Sequence, residues 1–308
     1  MGRKRRGRAI NGWLALDKPS GLTSTQALGK ARRILDAAKA GHGGTLDPLA
    51  TGILPLAFGE ATKTVSFAMD TSKTYRFEVI WRTATDTDDR EGKIVATSDT
   101  LPSVEAIEAK VPLFIGSIAQ VPPKYSAIKV GGQRAYDLAR ADKDVVLEPR
   151  TVQVDRFELT RTIGPDRTEF EVDCGKGTYI RALVRDLAHA LSTYGHIAEL
   201  RRTRCGVFHE KSAISLDKLE ALGHKAADSE VLLPVSTVLD DIPALALTEE
   251  EANRMRHGQS VSLFAVARRS PISGLTPGAA VQVVCGDRLV ALATVADGLV
   301  KPVRVLNT

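Results

Sequence analysis

Residues 41–56 hold four glycines, two prolines, one histidine and a single carboxylate, Asp47. Glycine admits positive φ and lets a backbone approach a ligand closely. Pro48 disfavours a helical conformation at Asp47. The stretch therefore reads as a rigid, shaped loop that sets one acid beside an apolar wall. A carboxylate placed there is a candidate acid, base or nucleophile. Asp-Pro is also a common turn starter, and local chemistry alone favours that plainer role for Asp47.

The rest of the chain bounds what such a loop can serve. Its 308 residues suffice for two domains, and a composition 43% hydrophobic and 26% charged argues against disorder. No apolar run is long enough to span a bilayer. The start, Met1-Gly2-Arg3-Lys4-Arg5-Arg6, lacks the apolar core of a secretory signal and the Ser or Thr of a myristoylation site. A soluble, cytoplasmic protein is expected. Cys174, Cys205 and Cys285 stand far apart, with neither metal-ligand spacing nor a disulfide framework, and read as small buried residues. The net charge of +5 is uneven: residues 1–40 carry ten Lys/Arg against two Asp, a net +8, leaving about −3 on the other 268. A basic arm suits a polyanion, most simply nucleic acid, although a solubilising tail has the same composition.

Residues 13–16 read as a short buried strand. Thr23 with Gln26 forms a capping box, and a helix follows with Ala27, Leu28, Ala31, Ile34, Leu35 and Ala38 at helical spacing and Gly41 at its end. That basic helix feeds into the glycine loop. Tyr75, Phe77, Val79 and Trp81 alternate along one face of a strand. The acid cluster 86–92 lacks a calcium-loop ligand pattern and reads as a polar hairpin loop. Ser103 is expected to cap a helix running to about Gly116. Residues 121–136 interleave cations with Tyr125 and Tyr136, a kit for holding nucleic acid, although a surface excursion with incidental tyrosines reads the same way, and a short helix is expected at 138–140.

Strands are expected at 152–159 and 168–174, then a turn at 175–178. The helix after it carries an apolar stripe of Ile180, Leu183, Val184, Leu187, Ala188 and Leu191. Arg181 falls in its first turn, where the helix dipole disfavours a cation, so a guanidinium there suggests an anionic partner, although taken alone a solvated arginine is the plainer reading. His189 reads as a surface residue. Residues 199–208 form a basic strand, Ser215 caps a helix through Leu222, and pattern thins over 223–247. Thr248 and Glu251 form a further capping box with Gly258 ending the helix, and a hairpin follows within a small β-rich part.

Several separated motifs fit together. Lys18-Pro19-Ser20-Gly21-Leu22-Thr23-Ser24 resembles KPxGxTS, and residues 41–52 resemble GHTGTLDPLATG, of the bacterial tRNA pseudouridine synthase B family, the tRNA pseudouridine(55) synthases. Lys73-Thr74-Tyr75, residues 122–136, Gly177-Thr178-Tyr179-Ile180-Arg181-Ala182-Leu183 and Glu199-Leu200-Arg201-Arg202-Thr203 match in order. The resemblance covers roughly residues 9–245. Gly43 departs from it, standing where Thr or Ser is commoner, and a local backbone difference is expected. Residues 248–308 resemble the family's PUA-like domain only loosely.

The resemblance implies an α+β fold: a mixed, largely antiparallel sheet flanked by helices, plus a small β-rich PUA-like domain. It implies a basic arm at 1–10, a catalytic domain at 11–245 and an RNA-binding domain at 246–308. Asp47 matches the catalytic aspartate. Tyr75 matches the tyrosine that stacks on the flipped uracil and is a candidate to take the C5 proton. Arg181 matches the arginine paired with that aspartate. His42, Tyr179 and Leu200 match substrate-contacting residues, with His42 holding the extruded state of the RNA loop. The implied reaction converts uridine to pseudouridine at position 55 in the T loop of tRNA. It needs no cofactor and no metal, because one glycosidic bond is exchanged for another without redox change. The implied partner is the T arm of tRNA, bound by a monomer with no membrane contact. The rival readings are a non-catalytic tRNA-binding or tRNA-folding protein, a guide-dependent synthase acting on ribosomal RNA, and, more weakly, a hydrolase using Asp47 and His42.

Overall fold

The first strand, β1 (Gly12–Lys18), is buried along almost its whole length, as the apolar run from Trp13 dictates. Helix α1 (Ser24–Ile34) starts on the expected capping box: the Thr23 hydroxyl accepts from the Gln26 N–H, and the Gln26 side chain accepts from the Thr23 N–H at 2.9 Å. It ends earlier than the sequence suggests. Leu35 caps it, Asp36 takes φ 50°, and Gly41 lies inside a short strand, β2 (Ala40–His42). A short acid in the left-handed conformation closes the helix as glycine would. The expected loop is shorter too, because its apolar second half is strand β3 (Thr51–Phe58), buried from Gly52 onward. Gly52 has φ 95°, and a Cβ there would lie 2.2 Å from the Arg202 carbonyl oxygen, so only glycine admits the neighbouring strand.

Helix α2 (Val65–Met69) precedes β4 (Lys73–Trp81), where Tyr75, Phe77, Val79 and Trp81 face inward as expected. Strands β5 (Thr83–Thr85) and β6 (Ile94–Thr97) form a hairpin around the acid cluster. Ser103 caps α3 (Val104–Lys110), which gives way to a 3-10 turn at Val111–Phe114 rather than reaching Gly116, because Pro112 has no N–H to continue it. Then come β7 (Gly116–Gln120), the small ribbon β8 (Lys129–Val130) and β9 (Gln133–Arg134), β10 (Arg150–Gly164) and β11 (Arg167–Cys174). Helix α4 (Ile180–Ala190), strand β12 (Gly195–Cys205), the short strands β13 (Phe208–His209) and β14 (Ile214–Ser215), and helix α5 (Leu216–Leu222) complete the larger unit.

These strands form one mixed sheet in the order β14-β1-β3-β12-β4-β11-β10-β7, with β2 on β3 and β13 on β12. Among the described residues, only β1–β14 and β3–β12 run parallel in this sheet. One face carries the main core, in which Leu183, Val184 and Leu187 of α4 join Phe77, Trp81 and Phe170. The other face of β4, β11 and β10 is a ladder of ion pairs, including Arg156 with Asp173 at 2.8 Å and Arg204 with Asp173 at 3.3 Å. The basic strand β12 therefore presents paired cations: Arg201 bonds Asp17 at 3.0 Å and Glu210 at 2.6 Å, while Arg202 is buried.

A second sheet follows: β15 (Ala244–Ala246), helix α6 (Glu249–Arg256), β16 (Val261–Ser262), helix α7 (Leu263–Ala267), β17 (Ala280–Cys285), β18 (Arg288–Ala296) and β19 (Leu299–Val305). Its order is β15-β17-β18-β19-β16. Leu289, Leu292 and Leu306 from this part pack with Trp13, Ile53 and Phe208 of the large sheet in a shared apolar cluster. The result is the expected α+β architecture. Among the described residues no helix is long and apolar enough to cross a membrane.

The computed structural model describes residues 7–126, 128–130, 133–134, 147–228, 231–270 and 275–307. The start of the basic arm, Tyr136 in the cation–tyrosine stretch and the helix expected at 138–140 lie outside them.

Candidate active site

Asp47 sits on a turn whose backbone is fixed from three sides. The buried Ser24 hydroxyl, at the start of α1, accepts from the Leu46 N–H at 2.8 Å and donates to the Leu46 carbonyl at 3.0 Å. The Lys18 ammonium, wholly buried, donates to the carbonyls of Pro19 at 2.9 Å, Leu22 at 2.7 Å and Pro48 at 3.2 Å. Leu46 and Leu49, flanking the acid, are anchored in the main core. The Asp47 side chain itself stays 32% exposed. A fixed backbone under an accessible carboxylate is the arrangement that positional catalysis requires.

Arg181, only 4% exposed, answers the expectation of an anionic partner. Its Nε donates to Asp47 Oδ2 at 2.9 Å, Nη1 to the Thr87 carbonyl at 2.9 Å and Nη2 to the Tyr125 carbonyl at 2.9 Å. Asp89 Oδ2 lies 3.7 Å from Nη1. Two carboxylates and two carbonyls thus offset the unfavourable start of α4. Asp89 is held in turn by the Thr87 hydroxyl at 2.6 Å and the Glu91 N–H at 3.0 Å. The acid cluster is a hairpin loop, but not a solvated one: Arg185 also bonds Asp88, at 3.3 Å. Sequence reasoning missed Asp89, Lys18 and Arg202. Their signals were present as an acid cluster, a Lys-Pro turn and a basic strand, and each has a plainer surface explanation.

Two cavities meet at Asp47. One, of about 280 Å³, is lined by Asp47, Lys73, Tyr75, Tyr179, Leu200 and Arg202. The other, of about 490 Å³, is lined by Asp47, Arg181, Asp89, Glu91, Ser126 and the first turn of α1. Four of the six expected site residues therefore share one cavity and Arg181 closes the other side of the acid. Tyr179 is placed by Gln120, whose amide oxygen accepts the Tyr179 N–H at 2.8 Å and whose amide nitrogen donates to the Tyr179 carbonyl at 3.1 Å. His42 lines neither cavity. It pairs with Leu56 in the β2–β3 ladder, and its Nδ1 is buried without a partner among the described residues.

The electrostatics follow from burial. Desolvation pushes the Tyr75 phenol up to about 12 against the neighbouring Arg202 charge, so the hydroxyl is protonated at neutral pH. Desolvation also brings the Lys18 ammonium down to about 8, with Asp47 opposing the fall. Burial and then Arg202 lower His42, which keeps the imidazole neutral. Among the described residues no group of His, Cys, Asp and Glu is spaced to hold a metal ion.

Residues 32–180 match the N-terminal domain of the TruB family pseudouridylate synthases, and residues 181–240 match the tRNA pseudouridylate synthase B C-terminal domain. The chain is 55% identical over 307 residues to the tRNA pseudouridine synthase B of Rhodospirillum rubrum, covering 100% of both chains. This chain belongs to the TruB family. It is also 53% identical to the tRNA pseudouridine synthase B of Caulobacter sp. strain K31, over 100% of this chain and 99% of that one. The TruB-family fold extends further. A chain in the structure of an H/ACA RNP bound to a substrate RNA containing 2'-deoxyuridine superposes with a TM-score of 0.74 at 23% identity, over 100% of this chain and 92% of that one.

Gly43, the position that departs from the resembled motif, sits in a tightly packed place. A Cβ at Gly43 would lie 3.0 Å from the Ala68 Cβ and 3.6 Å from the Trp13 ring, so α2 occupies the space a Thr side chain would need.

Proposed function

We propose that this protein isomerises uridine to pseudouridine at position 55 in the T loop of tRNA, with Asp47 as the nucleophile or base. The observation that carries this reading is the Asp47–Arg181 pair at 2.9 Å, with Asp47 lining the cavity that Tyr75 and Leu200 also line. Full-length relatives at 50–55% identity that are named tRNA pseudouridine synthase B support the tRNA substrate.

A base stacked in an RNA loop is out of reach, so it is extruded into the smaller cavity. There Tyr75 supplies a stacking face, worth about 1–3 kcal/mol per base. Tyr179 and Leu200 bound the base edge. Asp47 works on the ribose or the base, and Arg181 holds it in place. Because the Tyr75 phenol is protonated and resists ionisation, stacking is its main role, and it takes the C5 proton only if it passes its own O–H proton on. No cofactor is needed, since the N1–C1′ bond is exchanged for C5–C1′ within one molecule. We assign residues 1–40, 122–140 and 246–308 to gripping the T arm, and His42 to the RNA loop rather than to the chemistry. The protein is taken to act alone, as a monomer in the cytoplasm.

The test is tritium release from C5-labelled uridine in an unmodified T-arm hairpin, with purified protein and no guide RNA. Release that disappears when the target uridine is replaced by cytidine supports the reading. Release only in the presence of a guide RNA and partner proteins would favour the guide-dependent alternative.

A further inference from the structure

Arg202 is a buried cation with no counter-ion among the described residues. It is 1% exposed and lines the smaller cavity with Tyr75 and Asp47. Its Nε donates to the Ile53 carbonyl at 2.7 Å and its Nη2 to the Gly44 carbonyl at 3.3 Å. The guanidinium also interacts with the Tyr75 side chain. No carboxylate of the described residues lies within 4.0 Å of it. A guanidinium does not shed its proton in a protein, so this charge stays. A buried charge without a partner is costly, and two carbonyls and a phenol only partly offset that cost.

The other cations nearby are committed. Arg181 is shared between Asp47, Asp89 and two carbonyls. Lys73 spends its ammonium on the Met69 and Thr71 carbonyls, and Lys176 pairs with Asp70. Like Lys73, Arg202 bonds carbonyls and has no carboxylate within 4.0 Å among the described residues, but only the Arg202 guanidinium of the two also reaches the Tyr75 side chain on the cavity wall.

Negative charge must appear in that cavity if the proposed reaction occurs there. When the N1–C1′ bond breaks, both electrons leave with N1. C1′ either gains a bond to an Asp47 oxygen or joins C2′ in a double bond as Asp47 takes the C2′ proton. By either route uracil departs as an anion, its charge spread over N1, O2 and O4. Rejoining places that electron pair in the C5–C1′ bond and restores the Asp47 carboxylate. The C5 proton then leaves and N1 takes one up. Resting on the proposed function, we infer that Arg202 is the residue that stabilises the detached uracil anion. A preorganised cation facing developing charge in a dry site is among the strongest means of lowering a barrier.

The test uses Arg202→Gln and Arg202→Lys with two T-arm hairpins, carrying uridine or 6-azauridine at the target. 6-Azauracil is a stronger N–H acid and leaves more readily as an anion, provided the assay is run at a pH low enough that N3 of the bound nucleoside keeps its proton. Wild-type turnover of the uridine hairpin is measured first, and its absence would overturn the proposed function itself rather than the role of Arg202. Melting curves identify which variants are folded at the assay temperature. Single-turnover loss of the N1-linked nucleoside is then compared within each substrate, variant against wild type. Arg202→Gln should slow uridine conversion about 100-fold or more, but 6-azauridine conversion by about tenfold or less. Arg202→Lys, which keeps the charge and loses the fork, should show a smaller loss with the same substrate dependence, and it decides the question alone if the Gln variant does not fold. Hairpin affinity should move by less than about threefold. A loss equal on the two substrates for every folded variant, or no loss with uridine, would overturn the inference and leave Arg202 as a strand clamp.

Discussion

Arg181 Nε lies 2.9 Å from Asp47 Oδ2, joining the first turn of α4 to a turn 134 residues earlier in the chain. The contact is directional as well as electrostatic, because the remaining guanidinium nitrogens are fixed on the Thr87 and Tyr125 carbonyls. Lysine cannot reproduce that fork. Arg181→Lys is expected to lower the single-turnover rate by about 100-fold or more while tRNA affinity changes little. Asp89→Asn, which keeps the acceptor for Thr87 and Glu91 but removes the second charge, should fall between this variant and wild type. Rapid-quench kinetics on the T-arm hairpin would check both.

Lys18 gives the protein a pH signature. Its ammonium titrates at about 8 when folded, against 10.5 for an unperturbed lysine. Between those values the unfolded chain binds more protons than the folded one, so this group makes stability rise with pH across the window. Below about 8 both states carry the proton and the burial penalty is present in full. Lys18→Met is expected to remove that part of the slope, whatever it does to the stability at pH 7. Denaturant titrations at pH 7.5 and pH 10 on both proteins measure the difference.

Gly43 is a packing constraint. Gly43→Thr forces its side chain against Ala68 and is expected to destabilise by about 1–3 kcal/mol, the usual cost of overpacking. Gly43→Thr combined with Ala68→Gly should recover part of the loss. Thermal melting of the single and double variants checks the pairing, and simple additivity would count against it.

The second sheet is packed on the first and does more than decorate it. Leu289, Leu292 and Leu306 cover Trp13 and Phe208, while Lys63 donates to the Val305 carbonyl at 2.7 Å and the Asn307 N–H to Glu60 at 2.7 Å. Truncation after residue 243 uncovers this cluster. The shortened chain should melt at a lower temperature and bind more of a hydrophobic dye than the full chain does.

The elements most legible in the sequence were those with a strong period or a local chemical signature. The alternation at Tyr75, Phe77, Val79 and Trp81 and the capping boxes at Thr23 and Thr248 each reappear where expected. The end of α1 was misread because Asp36, not a glycine, takes the left-handed conformation. The apolar half of the glycine-rich stretch was read as loop because its glycines and prolines mask a strand that only its neighbours stabilise. In the site, Asp47 and Arg181 stood out only once the separated motifs were read together, since taken alone the acid reads as a turn residue and the cation as a solvated arginine. Asp89, Lys18 and Arg202 did not stand out, since their burial depends on contacts between segments far apart in sequence.

The central claim is that Asp47 does the chemistry, and its most direct test is a single-turnover assay of Asp47→Asn beside wild type. Both proteins are mixed in excess with a T-arm hairpin carrying tritium at C5 of its uridines, and hairpin binding is measured in parallel. Tritium release by wild type, none detectable from Asp47→Asn, and comparable binding by both are expected. Release at an undiminished rate from Asp47→Asn, or tight binding by both proteins with release from neither, would contradict that claim.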